Sequence, residues 1–247
     1  MNAQMLLQYF AGEVVSSQYH GTIINDTSGQ PAAVVTGSYA SGGALPWNIR
    51  GRSVWIAVAL AARRGVDQTW NLSSGDTNYV DIATIENPTI SWKLAANNTS
   101  ADGTGQYVSS LSTESHMDAS FVYSSTVKNS KELTSAILAH NANYMAAKFC
   151  RYITLADGFG AMDLPSIDVL MRIYQARTVI DSLDSTATAN AAKKLTTWGF
   201  GSADGAYVWS ASEYSSSGAW SVDSGGCLLI GTKRNRFGCV PALEIPA

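Results

Sequence analysis

The side chains that carry most protein chemistry are sparse in this chain. Its three histidines, His20, His116 and His140, lie far apart, and no two share the spacing that lets one helix face hold a metal. Its three cysteines, Cys150, Cys227 and Cys239, include no Cys-x-x-Cys pair. An odd number far apart allows at most one internal bridge, which excludes a disulfide framework. There is no Gly-x-Ser-x-Gly elbow, no Gly-Lys-Ser/Thr phosphate loop and no dinucleotide fingerprint. The stretch Gly199-Phe-Gly-Ser-Ala-Asp-Gly is rich in glycine but precedes a predicted strand, so it reads as a turn. Asp181 and Asp184, three apart on a predicted helix, read as a solvated face. With no nucleophile–base pair, metal set or phosphate cradle, the residues predict no catalytic activity, no metal and no cofactor.

Composition sharpens that expectation. The 247 residues are 46% hydrophobic, enough for a real core, yet only 14% are charged, against the roughly one quarter usual in soluble domains. Gly, Ser, Thr, Asn and Ala fill the difference, which suits strands joined by tight turns. A net charge of −3 without a basic run argues against nucleic acid as the partner. The longest apolar candidate, Val54 to Ala62, is too short to cross a bilayer and ends at Arg63-Arg64, so no membrane insertion is expected. The opening Met1-Asn2-Ala3-Gln4 lacks the basic segment and apolar stretch of a signal peptide, which predicts synthesis in the cytoplasm.

The elements that must position any contact residues fall into two expected regions. Residues 1–105 read as a mostly β N-terminal region serving in anchoring or oligomerisation. Its short β-prone runs at Gly12-Glu-Val-Val, Gly21-Thr-Ile-Ile and Ala32-Ala-Val-Val-Thr are separated by turn residues, and another strand is expected from Asn87 to Leu94. Ser53 to Ala62 is a buried strand or a short helix, since so short an apolar run has no decisive period. A loop from Asn97 to Gly105 is the best boundary. Residues 106–247 then mix helices and strands. Leu133, Ile137, Tyr144, Ala147 and Phe149 predict a helix from Ser130 to Cys150, and Leu164-Pro165-Ser166 opens a second. Short strands follow from Trp198 onward.

Two stretches match one pattern. The first is Ala147-Lys-Phe-Cys-Arg-Tyr-Ile-Thr-Leu-Ala-Asp-Gly followed by Asp163-Leu-Pro-Ser-Ile-Asp-Val-Leu-Met-Arg-Ile-Tyr. The second is Tyr207-Val-Trp-Ser-Ala-Ser-Glu-Tyr-Ser-Ser-Ser-Gly-Ala-Trp-Ser-Val-Asp, then Lys233 and Phe237-Gly-Cys-Val-Pro-Ala-Leu-Glu-Ile. Together they resemble the C-type-lectin-like domains of bacterial surface and phage tail proteins, several of which are variable proteins of diversity-generating retroelements. The resemblance covers about the last 110 to 140 residues. Two positions depart from it: Met162-Asp163 stands where Trp-Arg usually precedes Leu-Pro, and the closing Cys239-Val-Pro-Ala lacks the common Arg.

The resemblance implies an α+β, C-type-lectin-like fold whose C-terminal strands display a ligand-contact surface. In Ala219-Trp-Ser-Val-Asp, strand alternation puts Trp220 and Val222 on a core face and Ser221 and Asp223 on a ligand face, with Ser224-Gly-Gly as the hairpin turn. Cys227 to Phe237 has no clean alternation, which predicts an irregular surface stretch. The expected contact set is Ser215, Ser216, Ser217, Ser221, Asp223, Ser224, Cys227, Leu228, Ile230, Thr232, Arg234, Asn235, Arg236 and Phe237. In the retroelement systems, variable positions arise at mutated Asn-type codons, which cannot reach Lys, Glu, Gln, Met or Trp. From Ser215 to Gly238 only Trp220 and Lys233 fall outside that reach, and both match framework positions.

The implied partner is a host-cell or neighbour-cell surface protein or glycan. The implied setting is a phage tail tip, as a homo-oligomer (a trimer in a tail tip), or else a bacterial cell surface. Two alternatives stand beside it. One is an oxidase of the formylglycine-generating kind, which shares the fold class and uses paired cysteines, here Cys227 and Cys239. The other is a purely structural virion protein.

Overall fold

A computed structural model describes residues 19–40, 43–77, 82, 91–93, 107–108, 121–122, 128–198, 206–224, 226 and 228–247. The fold is α+β. The first half supplies β1 Ile23–Asn25, β2 Pro31–Thr36, β3 Ser38–Ala40, β4 Gly43–Leu45, β5 Trp47–Ile49, β6 Arg52–Ala59 and β7 Gly65–Thr69. Three short strands follow, β8 Ser91–Lys93, β9 Tyr107–Val108 and β10 Phe121–Val122, paired in the order β10-β8-β9. Helices α1 Ser130–His140 and α2 Met145–Arg151 lead through the hairpin β11 Thr154–Leu155 and β12 Gly160–Ala161 to α3 Ile167–Gln175 and α4 Arg177–Leu183. The chain closes with β13 Tyr207–Glu213, β14 Gly218–Asp223, β15 Leu228–Thr232, β16 Arg236–Cys239 and β17 Ala242–Pro246. No described helix is long and apolar enough to cross a membrane.

Two larger sheets organise these strands. The first runs β1-β2-β6-β17, with β5 also paired to β6. The second runs β15-β14-β13-β16-β7, antiparallel except for the β13–β16 pair. The two halves of the sequence interlock in both. β17 pairs with β6 from Ala242↔Val58 to Pro246↔Val54, and β16 pairs with β7 from Arg236↔Thr69 to Cys239↔Gly65. This corrects the expected boundary at residue 105. Residues 31–69 are mostly β, as anticipated, but they complete the sheets of residues 207–246 and are no separate anchoring unit. The Gly12 run and the 97–105 loop lie outside the described residues, and so does all of the predicted Asn87–Leu94 strand except β8.

The ambiguous run Ser53 to Ala62 resolves as a strand, β6, followed by a single 3-10 turn at Ala61–Arg63. It lacks alternation because both its faces are covered. Ile56 and Val58 pack with Ile167, Leu170, Ile173 and Tyr174 of α3, while Trp55, Ala57 and Ala59 pack with Leu155, Met162 and Ile245. The helix expected over Ser130 to Cys150 breaks in two. A capping box of Asn129 and Glu132 starts α1, with Glu132 N–H donating to Asn129 Oδ1 at 2.8 Å. Asn141 ends it, because its side chain accepts from Asn143 N–H at 2.9 Å and so competes with the helical backbone.

The interior strands β13 and β16 of the second sheet are buried on both faces. One face meets α3 through Val208 and Val222. The other meets α1 and α2 through Trp209, Ala211 and Ala219, which pack with Leu133, Ile137, Ala147 and Cys150. Asp181 and Asp184 correct their solvated reading. They hold the fully buried Arg64 guanidinium, each at 3.1 Å, and so lock α4 to the loop after β6. A buried guanidinium requires such partners, since an unpaired charge there costs several kcal/mol.

Candidate functional site

Two buried polar constructions stand out among the described residues. The first anchors the Leu164-Pro165-Ser166 motif. Ser166 stands at the N-cap position of α3 with its hydroxyl turned to Asp168, Pro165 O accepts from Ala211 N–H at 2.8 Å, and Ile167 N–H donates to Ser212 Oγ at 3.1 Å, so the helix start is stitched to β13. Arg50 sits in the Arg50-Gly51 turn between β5 and β6, where both residues take the positive φ that so short a hairpin turn demands. From there its guanidinium pairs with Asp168 of α3 and Glu244 of β17, and Glu244 also accepts from Ser130 Oγ at 2.9 Å. With Glu244, one arginine thereby ties the first sheet to two helix starts.

The second construction lies directly beneath the expected contact residues. Glu213, at the end of β13, and Lys233, just after β15, form an ion pair with both side chains sealed from solvent. The Lys233 ammonium also lies 4.6 Å from the centre of the Trp70 ring. Backbone bonds complete the junction: Trp70 N–H and Asn71 N–H both donate to Lys233 O at 3.0 Å, and Ile82 N–H donates to Glu213 Oε2 at 3.2 Å. The sequence marks Lys233 as framework, and it is buried.

Above this base two turns are brought side by side. The first closes on Gly218, whose carbonyl accepts from Tyr214 N–H at 2.9 Å and Ser215 N–H at 3.0 Å. The second is set by Asn235 N–H donating to Thr232 O at 2.8 Å. Lys233 N–H then donates to Ser217 O at 3.0 Å and joins the two. Ser215, Ser216, Ser217, Thr232 and Asn235 are half-buried here, and Arg234 and Arg236 are exposed. Ile230, 48% exposed, pairs across strands with Trp220, and Trp220 meets Tyr214 edge to face at 5.3 Å.

Other members of the expected set fall elsewhere. Asp223 and Ser224 stand at the far end of β14, roughly 15 Å away by strand rise. Leu228 begins the edge strand β15 opposite Val222. Cys227 lies outside the described residues. Two members are corrected outright. Ser221 is fully buried, with its hydroxyl donating to Leu229 O at 3.3 Å, because α1 and α2 cover the face expected to meet ligand. Phe237 is 3% exposed, with its ring centre 4.3 Å from that of Trp209, because β16 is an interior strand between β13 and β7. The stretch from 228 to 237 is accordingly two ordered strands and one turn, not an irregular loop. Trp220 shares the Val222 face, as its parity predicts, but is only half-buried.

Sequence reasoning missed Tyr214 and Leu229, 38% and 36% exposed. Tyr214 is signalled by its place at a strand end before three serines. Leu229 follows from Leu228-Leu229-Ile230 on an edge strand, where adjacent side chains take opposite faces. Elsewhere, a cleft of about 520 Å³ opens beside β1 and the β11–β12 hairpin, lined by Tyr19, Thr22, Asp26, Asp157 and Phe159 among others. Asp26 in its wall is already saturated by Ser28, Gln30 and Arg63. Comparison of the chain with protein-family models, with curated proteins and with solved structures finds no match.

Proposed function

We propose that this chain is a ligand-binding protein, not an enzyme. In this reading it presents a variable surface on a C-type-lectin-like scaffold and recognises a host-cell or neighbour-cell surface protein or glycan from a phage tail tip. The observation that carries the reading is the pairing of two turns, Ser215–Ser217 and Arg234–Arg236, above a sealed Glu213–Lys233 base. Side chains there can change without disturbing the core, which is what a diversified face needs. The surface combines Tyr214, Trp220 and Ile230 with Arg234 and Arg236, and aromatic and arginine anchors carry much of the energy at interfaces. The oxidase alternative is disfavoured by Cys239, which is buried in a cluster with Cys150.

Binding is calcium-independent in this reading. Of the three oxygen ligands near the C-terminus, Glu213 is committed to Lys233, while Asp223 and Asn235 sit at opposite ends of the hairpin. A calcium ion takes six to eight oxygens. The test is binding of the fluorescently labelled full chain to a panel of whole bacterial cells, with and without EDTA. Expected is selective binding that survives EDTA and is lost when Ile230, Arg234 and Arg236 are all changed to Ala, with melting unchanged. Binding that the triple variant retains would refute the assignment of the face. No binding across the panel would favour the structural virion protein.

A further inference from the structure

Cys150 lies in the last turn of α2 and Cys239 closes β16. The two are 89 positions apart in sequence but belong to the same buried cluster, and neither is exposed. The reason is a close approach of helix to sheet. Cys239 is the register partner of Gly65 on β7, and a Cβ at Gly65 would stand only 2.8 Å from the Phe149 ring, next to Cys150 in α2. The absent side chain lets α2 settle onto the β7–β16 pair and brings the two sulfurs together. Both are free, buried thiols, and burial, with Cys239 close beside it, pushes the Cys150 thiol well above its usual range.

We propose that Cys150 and Cys239 are a disulfide site, joined when the chain folds in an oxidising medium and left as a pair of buried thiols when it folds in a reducing one. The oxidant is a small disulfide such as oxidised glutathione. One cysteine thiolate attacks it, breaking the glutathione S–S bond and leaving a mixed disulfide. The second thiolate then attacks the protein sulfur of that mixed disulfide and expels the other glutathione. The protein pair loses two electrons and two protons, and two glutathione thiols gain them. In the folded chain both thiols are closed to solvent and Cys150 resists ionisation, so exchange proceeds during folding or through transient opening. The bond would fasten α2 to β16, at the opposite end of β16 from Arg236.

The experiment is to unfold the full chain and refold it in glutathione buffer, either strongly oxidising or fully reduced. Thiols are then trapped by alkylation and linked peptides mapped by mass spectrometry. Under oxidising conditions a single 150–239 linkage is expected, with Cys227 alkylated or glutathione-capped. The melting temperature should then exceed that of the reduced protein by about 5–10 °C, since the bond closes a long loop in the unfolded chain. Cys227→Ser should leave the linkage intact, and Cys239→Ser should abolish it. A linkage through Cys227, three free thiols in a natively folded product, or an oxidised chain that fails to refold would each overturn the proposal.

Discussion

Glu213 and Arg236 each stand at the end of a strand in the same sheet, yet one is sealed in an ion pair and the other meets solvent. The difference runs through the whole C-terminal hairpin system. Its base, made of Trp70, Trp209, Glu213, Lys233 and Phe237, is buried and mutually partnered. Its rim, made of the two turns and the outer face of β14–β15, touches the core through few side chains. A region of the first kind specifies shape, because each member's removal leaves a void or an unpaired charge. A region of the second kind is free to vary. Their adjacency shows how an exposed pair of turns is held in place by a fully partnered floor.

The strongest way to break this contrast is to unpair the floor. Lys233→Met leaves the Glu213 carboxylate buried without its partner and should cost about 3–5 kcal/mol in denaturant unfolding. Pairing it with Glu213→Met should recover most of that loss, because two apolar groups leave no orphaned charge. A loss under 1 kcal/mol in the single variant would move the junction into the rim.

Phe237 comes next. Expected from sequence to be a contact residue, it packs on Trp209 and Tyr207. Phe237→Ala should destabilise by about 3 kcal/mol, as other buried aromatics do. An unchanged melting curve with altered binding would return it to the contact face.

Asp163, buried between α2 and β17, tests the committed interior by pH. Burial raises its carboxyl from 3.8 to about 6, with Arg151, 2.7 Å away, only partly opposing the shift. The folded chain therefore holds a proton here that the unfolded chain releases. The stability from this group is fully present below pH 3.8 and is lost as pH rises through about 6. Relative to Asp163→Asn, wild type should lose up to about 3 kcal/mol between pH 4 and pH 7. A difference that does not change over this range in urea melts would show that the carboxyl is not so perturbed.

The smallest effect belongs to the rim. Arg234→Ala and Arg236→Ala should each change unfolding free energy by no more than about 0.5 kcal/mol. A larger loss in either would mean that the turn carries structure.

Much of the scaffold was legible in local pattern. The strand at residues 32–36, the start of α3 after Leu-Pro-Ser and the shared face of Trp220 and Val222 follow from residue type and period, whereas Lys233 is marked as framework by its match to the family pattern. What the period could not supply was the number of layers. Alternation says that Ser221 opposes Trp220, but only the packing of α1 and α2 on that face makes it interior. Phe237 is buried because β16 lies between β13 and β7, a pairing that joins residues far apart in sequence. Asp181 and Asp184 read as solvated until Arg64 arrives from another element. By itself the sequence determined where turns, helix starts and β-prone runs fall, because local propensity and turn residues act over a few positions. The tertiary structure alone decided which faces are covered and which charges are paired, because burial depends on what the rest of the chain brings alongside.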